Sequence, residues 1–397
     1  MSIVSTTLCY PNPASPTQGV FVHRRLAAIQ RLTGVRVVAP VPWFPGLRPR
    51  RHQACPAALQ TPPVTWPRMF YVPGIMKRWD ASFYATSFHR AMSALREAEP
   101  VRLIDAHFVW PDGVGAWQVA CDERLPFVCT IRGKLVSQIA DRSKRRQIVE
   151  MLRGADALIA VSQSLADLAK EVAETELEVR VVPNGIDRLV FRRSDPDSIT
   201  NVESCDVPAW SNGARYVISV GHLQALKGFH RLVEVWPEVR RRLGDVRLIL
   251  VGGEAGEPEY VRRLKTQIDS VNGSAAGGVV SVALLGRQPP EKVAGLLNVA
   301  DLFVLASRSE GWCNAVAEAL ACGCPAVVTD VGGNREIVRD LGLGRLVPLG
   351  DRDALTESIC EALRCDWDRA HIADFGGRRD WQQVARECVD VFESVLT

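Results

Sequence analysis

Short strand-like runs alternate with segments of helical periodicity, and this alternation starts twice along the chain. In the first half, residues 3–8, 35–39, 102–106, 127–131, 157–161 and 179–182 read as buried strands. Between the first two, Val22, Leu26 and Ile29 fall at i, i+4 and i+7, on one face of a helix starting near residue 20. The second half restarts at 216–220 and continues through 246–251, 280–285, 302–305, 326–329 and 345–347. Phe229, Leu232, Val233 and Trp236 stripe its first helix, and a last helix over about 378–396 has no strand after it. The pattern predicts two Rossmann-like, doubly wound α/β domains. A chain of 397 residues suits two domains of roughly 100–200 residues each. The polar stretch 184–212 is the expected linker. The domains are then 1–190 and 191–377, with the helix at about 378–397 expected to pack back on the first.

Composition narrows the partners. The net charge is +3, but residues 1–190 carry 24 Lys and Arg against 16 Asp and Glu, whereas residues 191–397 carry 24 against 29. A basic first half fits an anionic membrane surface or a pyrophosphate-linked acceptor. No dense basic tract or known binding motif points to nucleic acid. Eleven cysteines at irregular spacing give no disulfide framework, and Cys322-Gly323-Cys324 lacks the flanking ligands of a zinc site, so reduced thiols in a cytoplasmic protein are expected. No apolar stretch of about 18 residues suggests a membrane span, and the N-terminus reads as a strand rather than a signal peptide. Residues 40–76 are irregular, with Trp43, Phe44, Trp66, Phe70 and Tyr71 near Arg48, Arg50 and Arg51. That mixture suits a membrane interface or a sugar acceptor, and equally an excursion packed on its own domain.

The chemistry concentrates in SRSEGWCNAVAEALACGCPAVVTDV, residues 307–331. It follows a strand, and Asn314 reads as the N-cap of a helix beginning at Ala315, with Gly323 closing it and Pro325 beyond. A helix N-terminus offers free N–H groups and a positive dipole end to a phosphate. Glu310 in the preceding loop can hold sugar hydroxyls. Glu318, one turn in, can accept from a ribose diol, or can simply be an exposed helix carboxylate. Lys227 sits in the turn after strand 216–220, where open sheets bind ligands and where a lysine is a point charge for phosphate. His107 ends strand 102–106 at a carboxyl edge, and Gly19 lies in the first strand-to-helix loop. The loop is not a G-x-G-x-x-G fingerprint, so it gives no support for NAD. The D-x-D strings Asp195-Pro196-Asp197 and Asp351-Arg352-Asp353 do not follow strands, and both read as structural.

Glu310 and Glu318 form an E-x7-E pair, and the segment resembles the E-G-x-P-N-x-x-x-E stretch of family 4 retaining glycosyltransferases. Val182-Pro183-Asn184-Gly185-Ile186-Asp187 with Phe191, Ser219-Val220-Gly221-His222-Leu223 with Lys227-Gly228, and Gly332-Gly333 with Glu336-Ile337-Val338 are similar to further motifs of that family. Pro11-Asn12-Pro13, Gly19 to His23, Pro42 to Pro45, and Asp105-Ala106-His107-Phe108 with Pro111-Asp112-Gly113 resemble bacterial exopolysaccharide and teichuronic-acid-type members. The resemblance implies the GT-B fold, two facing Rossmann-like domains with a cleft between them. It implies transfer of a hexose-type sugar from a nucleoside diphosphate, such as UDP, to a glycan or lipid-linked acceptor, with retention, no metal and no cofactor. The enzyme would work in the cytoplasm, at the inner face of the membrane. Lys227 would hold the diphosphate, helped by His222, which stands where the family commonly has Arg. Gly311, Trp312, Cys313, Asn314 and Ala315 would surround the donor at the helix N-terminus, with Glu310 on the sugar, Glu318 on the ribose and Arg287 near the base. His107 would lie by the donor sugar, Gly19 would let the backbone approach the donor, and Arg132 and His23 would belong to the acceptor side. The same architecture also admits a nucleotide-sugar epimerase or hydrolase, and a non-catalytic binding scaffold.

Overall fold

The computed structural model describes residues 2–45, 61–194, 213–273 and 280–397. The chain divides into two units, Met1–Gly185 with Trp381–Thr397, and Ile186–Asp380. The junction therefore falls at 185/186 rather than 190/191, and residues 378–380 belong to the second unit. Arg48, Arg50, Arg51, Asp195 and Asp197, and most of the expected linker, lie outside the described residues.

The first unit runs β1 (Ser2–Thr6), α1 (Val20–Ile29), β2 (Gly34–Val38), β3 (Val41–Trp43), β4 (Val64–Thr65), β5 (Arg68–Phe70), α2 (Asp80–Ala98), β6 (Leu103–His107), α3 (Val114–Glu123), β7 (Phe127–Ile131), α4 (Leu135–Gln138), α5 (Arg142–Gly154), β8 (Ala157–Ala160), α6 (Gln163–Ala173) and β9 (Val179–Val181). Its parallel sheet has the order β4-β2-β1-β6-β7-β8-β9. Strand order reverses between β1 and β6, which is the switch point of this sheet. The described part of residues 40–76, expected to be irregular, holds three very short strands, and β3 pairs in parallel with β5. Ile3, Leu103, Val35, Val37, Val128 and Ile159 form one apolar sheet face under Val22, Leu26 and Ile29 of α1.

The second unit runs β10 (Arg215–Val220), α7 (Phe229–Leu243), β11 (Val246–Val251), α8 (Pro258–Gly273), β12 (Val282–Leu284), α9 (Pro290–Val299), β13 (Leu302–Leu305), α10 (Asn314–Ala321), β14 (Ala326–Thr329), α11 (Asn334–Ile337), β15 (Gly344–Val347), α12 (Arg352–Ala362) and α13 (Arg369–Gly376). The sheet order β12-β11-β10-β13-β14-β15 is the doubly wound arrangement, with its switch point between β10 and β13. Val217, Leu248 and Val304 pack under α7 on one face, and Ile218, Ile249 and Phe303 pack under α10 on the other. The chain after β10 and the chain after β13 are thus drawn to opposite faces, which opens a crevice at their carboxyl ends.

The last helix, α14 (Trp381–Leu396), starts three residues later than the periodicity suggests. Val384, Cys388 and Phe392 join the apolar cluster of α1, so α14 completes the first unit.

Candidate active site

Two strand ends at the switch point of the second unit carry the charged pair. Lys227 follows β10 and Glu310 follows β13, and Lys227 Nζ donates to Glu310 Oε1 at 2.7 Å. The side chains are 20% and 7% exposed, so the pair is largely out of water. Burial pulls the Lys227 ammonium down, but Glu310 and Cys313 more than offset it and leave it above its ordinary value. The lysine is therefore charged at neutral pH.

Glycines let the loops around this pair close up. A side chain on Gly228 (φ 72°) would meet the Ala306 carbonyl oxygen at 1.9 Å, and one on Gly332 (φ 52°) would meet the Glu310 carbonyl oxygen at 1.8 Å. The Arg308 amide donates to the Leu226 carbonyl at 2.8 Å and ties the two loops together. Between β10 and β11, a side chain on Gly252 would meet the Gly221 carbonyl oxygen at 1.7 Å.

Helix α10 opens at Asn314, so Cys313, not Asn314, is its N-cap. Cys313 is extended (φ −86°, ψ 99°) and makes no side-chain cap hydrogen bond. Its thiol is pushed up to about 12 by burial and then by Glu310, so it stays protonated. The N-terminal end of the α10 dipole thus lies directly after the loop that carries Glu310. At the other end, Gly323 N–H donates to Leu320 and Cys324 N–H to Ala319, a Schellman closure with Gly323 at φ 75°. Gly311 is buried, whereas Trp312, Asn314, Ala315 and Glu318 are half-buried. Trp312 Nε1 has no hydrogen-bond partner among the described residues.

His222 follows β10 and exposed Arg287 follows β12. Desolvation, then Lys227, then Arg287, hold the His222 imidazole below its ordinary value, so it is neutral at pH 7. The structure thus brings together Lys227, Glu310 and the start of α10, with Arg287 and His222 in electrostatic reach of one another. Asp351 caps α12, its carboxylate accepting from the Ala354 amide at 2.8 Å, which accounts for that D-x-D string.

In the first unit a second polar cluster sits at the carboxyl ends of β1 and β6. Asp105 and His107 share one face of β6 through the two-residue strand period, and Ser5 is the register partner of Asp105. Ser5 Oγ donates to Asp105 Oδ2 at 2.8 Å, and His107 Nε2 lies 3.1 Å from Ser5 Oγ and 3.2 Å from Asp105 Oδ2. Arg132, after β7, approaches His107 Nδ1 with NH2 at 3.5 Å and donates from NH1 to Asn184 Oδ1 at 3.1 Å. Its guanidinium lies 5.0 Å from the Phe21 ring centroid and 5.9 Å from that of Phe108. Burial pushes His107 down to about 4, against the upward pull of Asp105 and together with Arg132 and Arg25. Sequence reasoning gave no role to Ser5, to Asp105 or to the fully buried Arg25 of α1. The available signal was two polar residues at i and i+2 in a strand otherwise read as buried.

Two other first-unit candidates are packed into the fold. A side chain on Gly19 (φ 64°) would meet the Cys9 carbonyl oxygen at 2.0 Å, so its close approach is to its own loop. His23 is buried, its Nδ1 lying 3.0 Å from the Tyr10 hydroxyl.

Residues 18–188 match Glycosyltransferase Family 4, and residues 204–379 match Glycosyl transferases group 1. A Bacillus subtilis (strain 168) protein bearing the name teichuronic acid biosynthesis glycosyltransferase TuaC is 27% identical over 84% of this chain and 82% of its own. Among solved structures, sucrose-phosphate synthase of Thermosynechococcus elongatus superposes with a TM-score of 0.75 at 20% identity, covering 100% and 99% of the two chains. Anabaena HepE, in complex with UDP and glucose, gives 0.73 at 20% identity, covering 99% and 100%.

Proposed function

Because the chain belongs to the GT-B glycosyltransferases that join a family 4 domain to a group 1 domain, we propose that it moves a hexose-type sugar from a nucleoside-diphosphate sugar to a glycan or lipid-linked acceptor. The relative's name supports a role in bacterial surface polysaccharide synthesis, and the UDP held by HepE makes UDP the first nucleotide to test. The observation that carries the reading is the Lys227–Glu310 pair at the switch point beside the start of α10.

In this reading the bond from the anomeric carbon to the diphosphate breaks, and its electron pair leaves on the diphosphate oxygen. The acceptor oxygen forms the new bond on the same face and gives its proton to that leaving oxygen. Configuration is retained, and no enzyme nucleophile, metal or cofactor is needed. The charge that develops must be met by groups already in place. Lys227 supplies the point charge, α10 its N-terminal amides, and Arg287 a further cation. Glu310 turns to the sugar hydroxyls, and Glu318 to the ribose. In the first unit, Arg132 and His107 form the polar cluster assigned to the transfer. In the same reading the basic helix α5, with Arg142, Arg145 and Arg146 exposed, meets an anionic lipid surface, and the enzyme works on the cytoplasmic side of the membrane.

One observation favours a binding scaffold instead: His222 is neutral where the family commonly has a charged Arg. Thermal denaturation with UDP, GDP, ADP and their sugars, without divalent metal, decides the donor site. A ligand at about 100 times its Kd adds about 2.7 kcal/mol to the folded state. We expect one nucleotide family to raise the midpoint and Lys227→Ala to abolish that rise. No shift at millimolar concentration for any nucleotide sinks the assignment. A shift in the wild type without sugar transfer to any acceptor favours the scaffold.

A further inference from the structure

The first unit's cluster contains enough donor and acceptor information to fix where the proton of His107 resides. Asp105 is fully buried. Burial raises its carboxyl, but His107, Arg25 and the Ser5 hydroxyl hold it below its ordinary value, so it is ionised and can only accept. The single hydroxyl proton of Ser5 goes to Asp105 Oδ2, which leaves only a lone pair of Ser5 Oγ facing His107 Nε2. Nε2 therefore faces two acceptors and must carry hydrogen. Nδ1 faces the NH2 group of Arg132, which can only donate, so Nδ1 must be bare.

His107 is 0% exposed, and both its ring nitrogens are committed in this way. A side chain so placed has no N–H left for a sugar hydroxyl and no free lone pair with which to take a proton from an acceptor. What it does offer is the Nδ1 lone pair, aimed at a guanidinium otherwise held by Asn184 and the Phe21 and Phe108 rings. Arg132 Nε has no partner among the described residues.

We propose that Ser5 and Asp105 lock His107 as its neutral Nε2–H tautomer, and that His107 is thereby a positioning residue for Arg132 rather than a group that touches the sugar. Asp105 acts at two removes, through the ring. The role of Arg132 in transfer rests on the function proposed above, whereas the tautomer does not.

The first measurement is the pattern of long-range proton–nitrogen correlations in the full chain labelled with 15N-histidine, with the His107 signals among the 7 histidines identified by their loss in His107→Gln. At neutral pH we expect the Nε2–H pattern for His107. An Nδ1–H pattern or an imidazolium overturns the proposal, whether or not any transfer activity has been found. The second measurement is a kinetic cycle of Asp105→Asn, Arg132→Lys and the double variant. Asparagine can present a donor to Nε2, which drives the proton to Nδ1, where it meets the Arg132 N–H groups. Each single variant should lower kcat at least tenfold, and the double variant should be no slower than Arg132→Lys alone, because Asp105 works through that arginine. Losses that multiply show two independent roles and refute the relay. Should the Asp105 variant fail to fold, the wild-type tautomer still decides.

Discussion

The Leu8 amide and the Thr7 hydroxyl both donate to Asp112 Oδ1, at 2.5 and 2.9 Å, and so tie the chain leaving β1 to the chain leaving β6. Burial nevertheless pushes the Asp112 carboxyl up to about 6, above the unfolded value of 3.8. Between these values the folded state keeps a proton that the unfolded chain releases, so stability falls as pH rises through this window. His107 works in the opposite sense: its folded value of about 4 lies below the unfolded 6.5, so its contribution grows as pH rises across that window. The two effects oppose each other in one unit. Asn at position 112 still accepts the Leu8 and Thr7 bonds but cannot ionise. Asp112→Asn should therefore gain on the wild type as pH rises from 4 to 6, by on the order of 2–3 kcal/mol at pH 7.5. Urea denaturation across that range is the check, and wild-type and variant curves that stay parallel refute it.

Elements hold the second-unit site through backbone contact, and glycine makes that contact possible. Gly332→Ala places a methyl group against the Glu310 carbonyl oxygen at a positive φ, so the loop carrying Glu310 must move. Gly350 also has a positive φ (87°), but a side chain there would meet nothing within 4 Å. Gly350→Ala should cost only the left-handed backbone term of about 1–2 kcal/mol and leave nucleotide binding intact. Gly332→Ala should cost more and weaken nucleotide binding at least tenfold by isothermal titration. Equal binding by the two variants would show that the loop yields without disturbing the Lys227–Glu310 pair. The same contrast marks what the sequence could disclose. The long strands were legible because their apolar runs are continuous, and Lys227, Glu310 and α10 were legible because each follows such a run. Strands β3 to β5 span two or three residues, too few to show a period. The cap at Cys313 was missed because Asn314 is the better intrinsic cap, and packing set the helix start instead. No role was read for Asp105 or Arg25 because a buried strand and an amphipathic helix are read through their apolar residues, while these two are buried charged side chains.

Charge is divided between the two units. The first holds 24 Lys and Arg against 18 Asp and Glu, net +6, and the second holds 24 against 27, net −3. In the first unit a basic face lies on α5, where Arg142, Arg145, Arg146 and Arg153 line a groove of about 400 Å³ with Val149, Val172, Glu150 and Glu174. Its neutralisation is partial. Arg146 pairs with Glu150 and Arg145 with Glu174, both in exposed pairs that contribute little to folding, whereas Arg142 makes no ion pair among the described residues. Arg153 differs, because it donates to the Ala173 carbonyl at 2.8 Å and so belongs to the packing of α5 on α6. A surface of this kind gains about 1 kcal/mol per cation near an anionic leaflet. The triple variant Arg142→Gln, Arg145→Gln, Arg146→Gln leaves Arg153 in place. It should keep the wild-type melting midpoint and its response to nucleotide, yet lose on the order of 100-fold in affinity for vesicles containing phosphatidylglycerol. Binding by the wild type should be absent on pure phosphatidylcholine and should fade as salt shortens the screening length from about 10 Å at 0.1 M to about 3 Å at 1 M. Equal sedimentation with neutral and anionic vesicles would point to apolar insertion, and wild-type-like binding by the triple variant would move the contact off α5. Either result removes the membrane assignment from this helix while leaving the donor site of the second unit untouched, since none of the three arginines belongs to it.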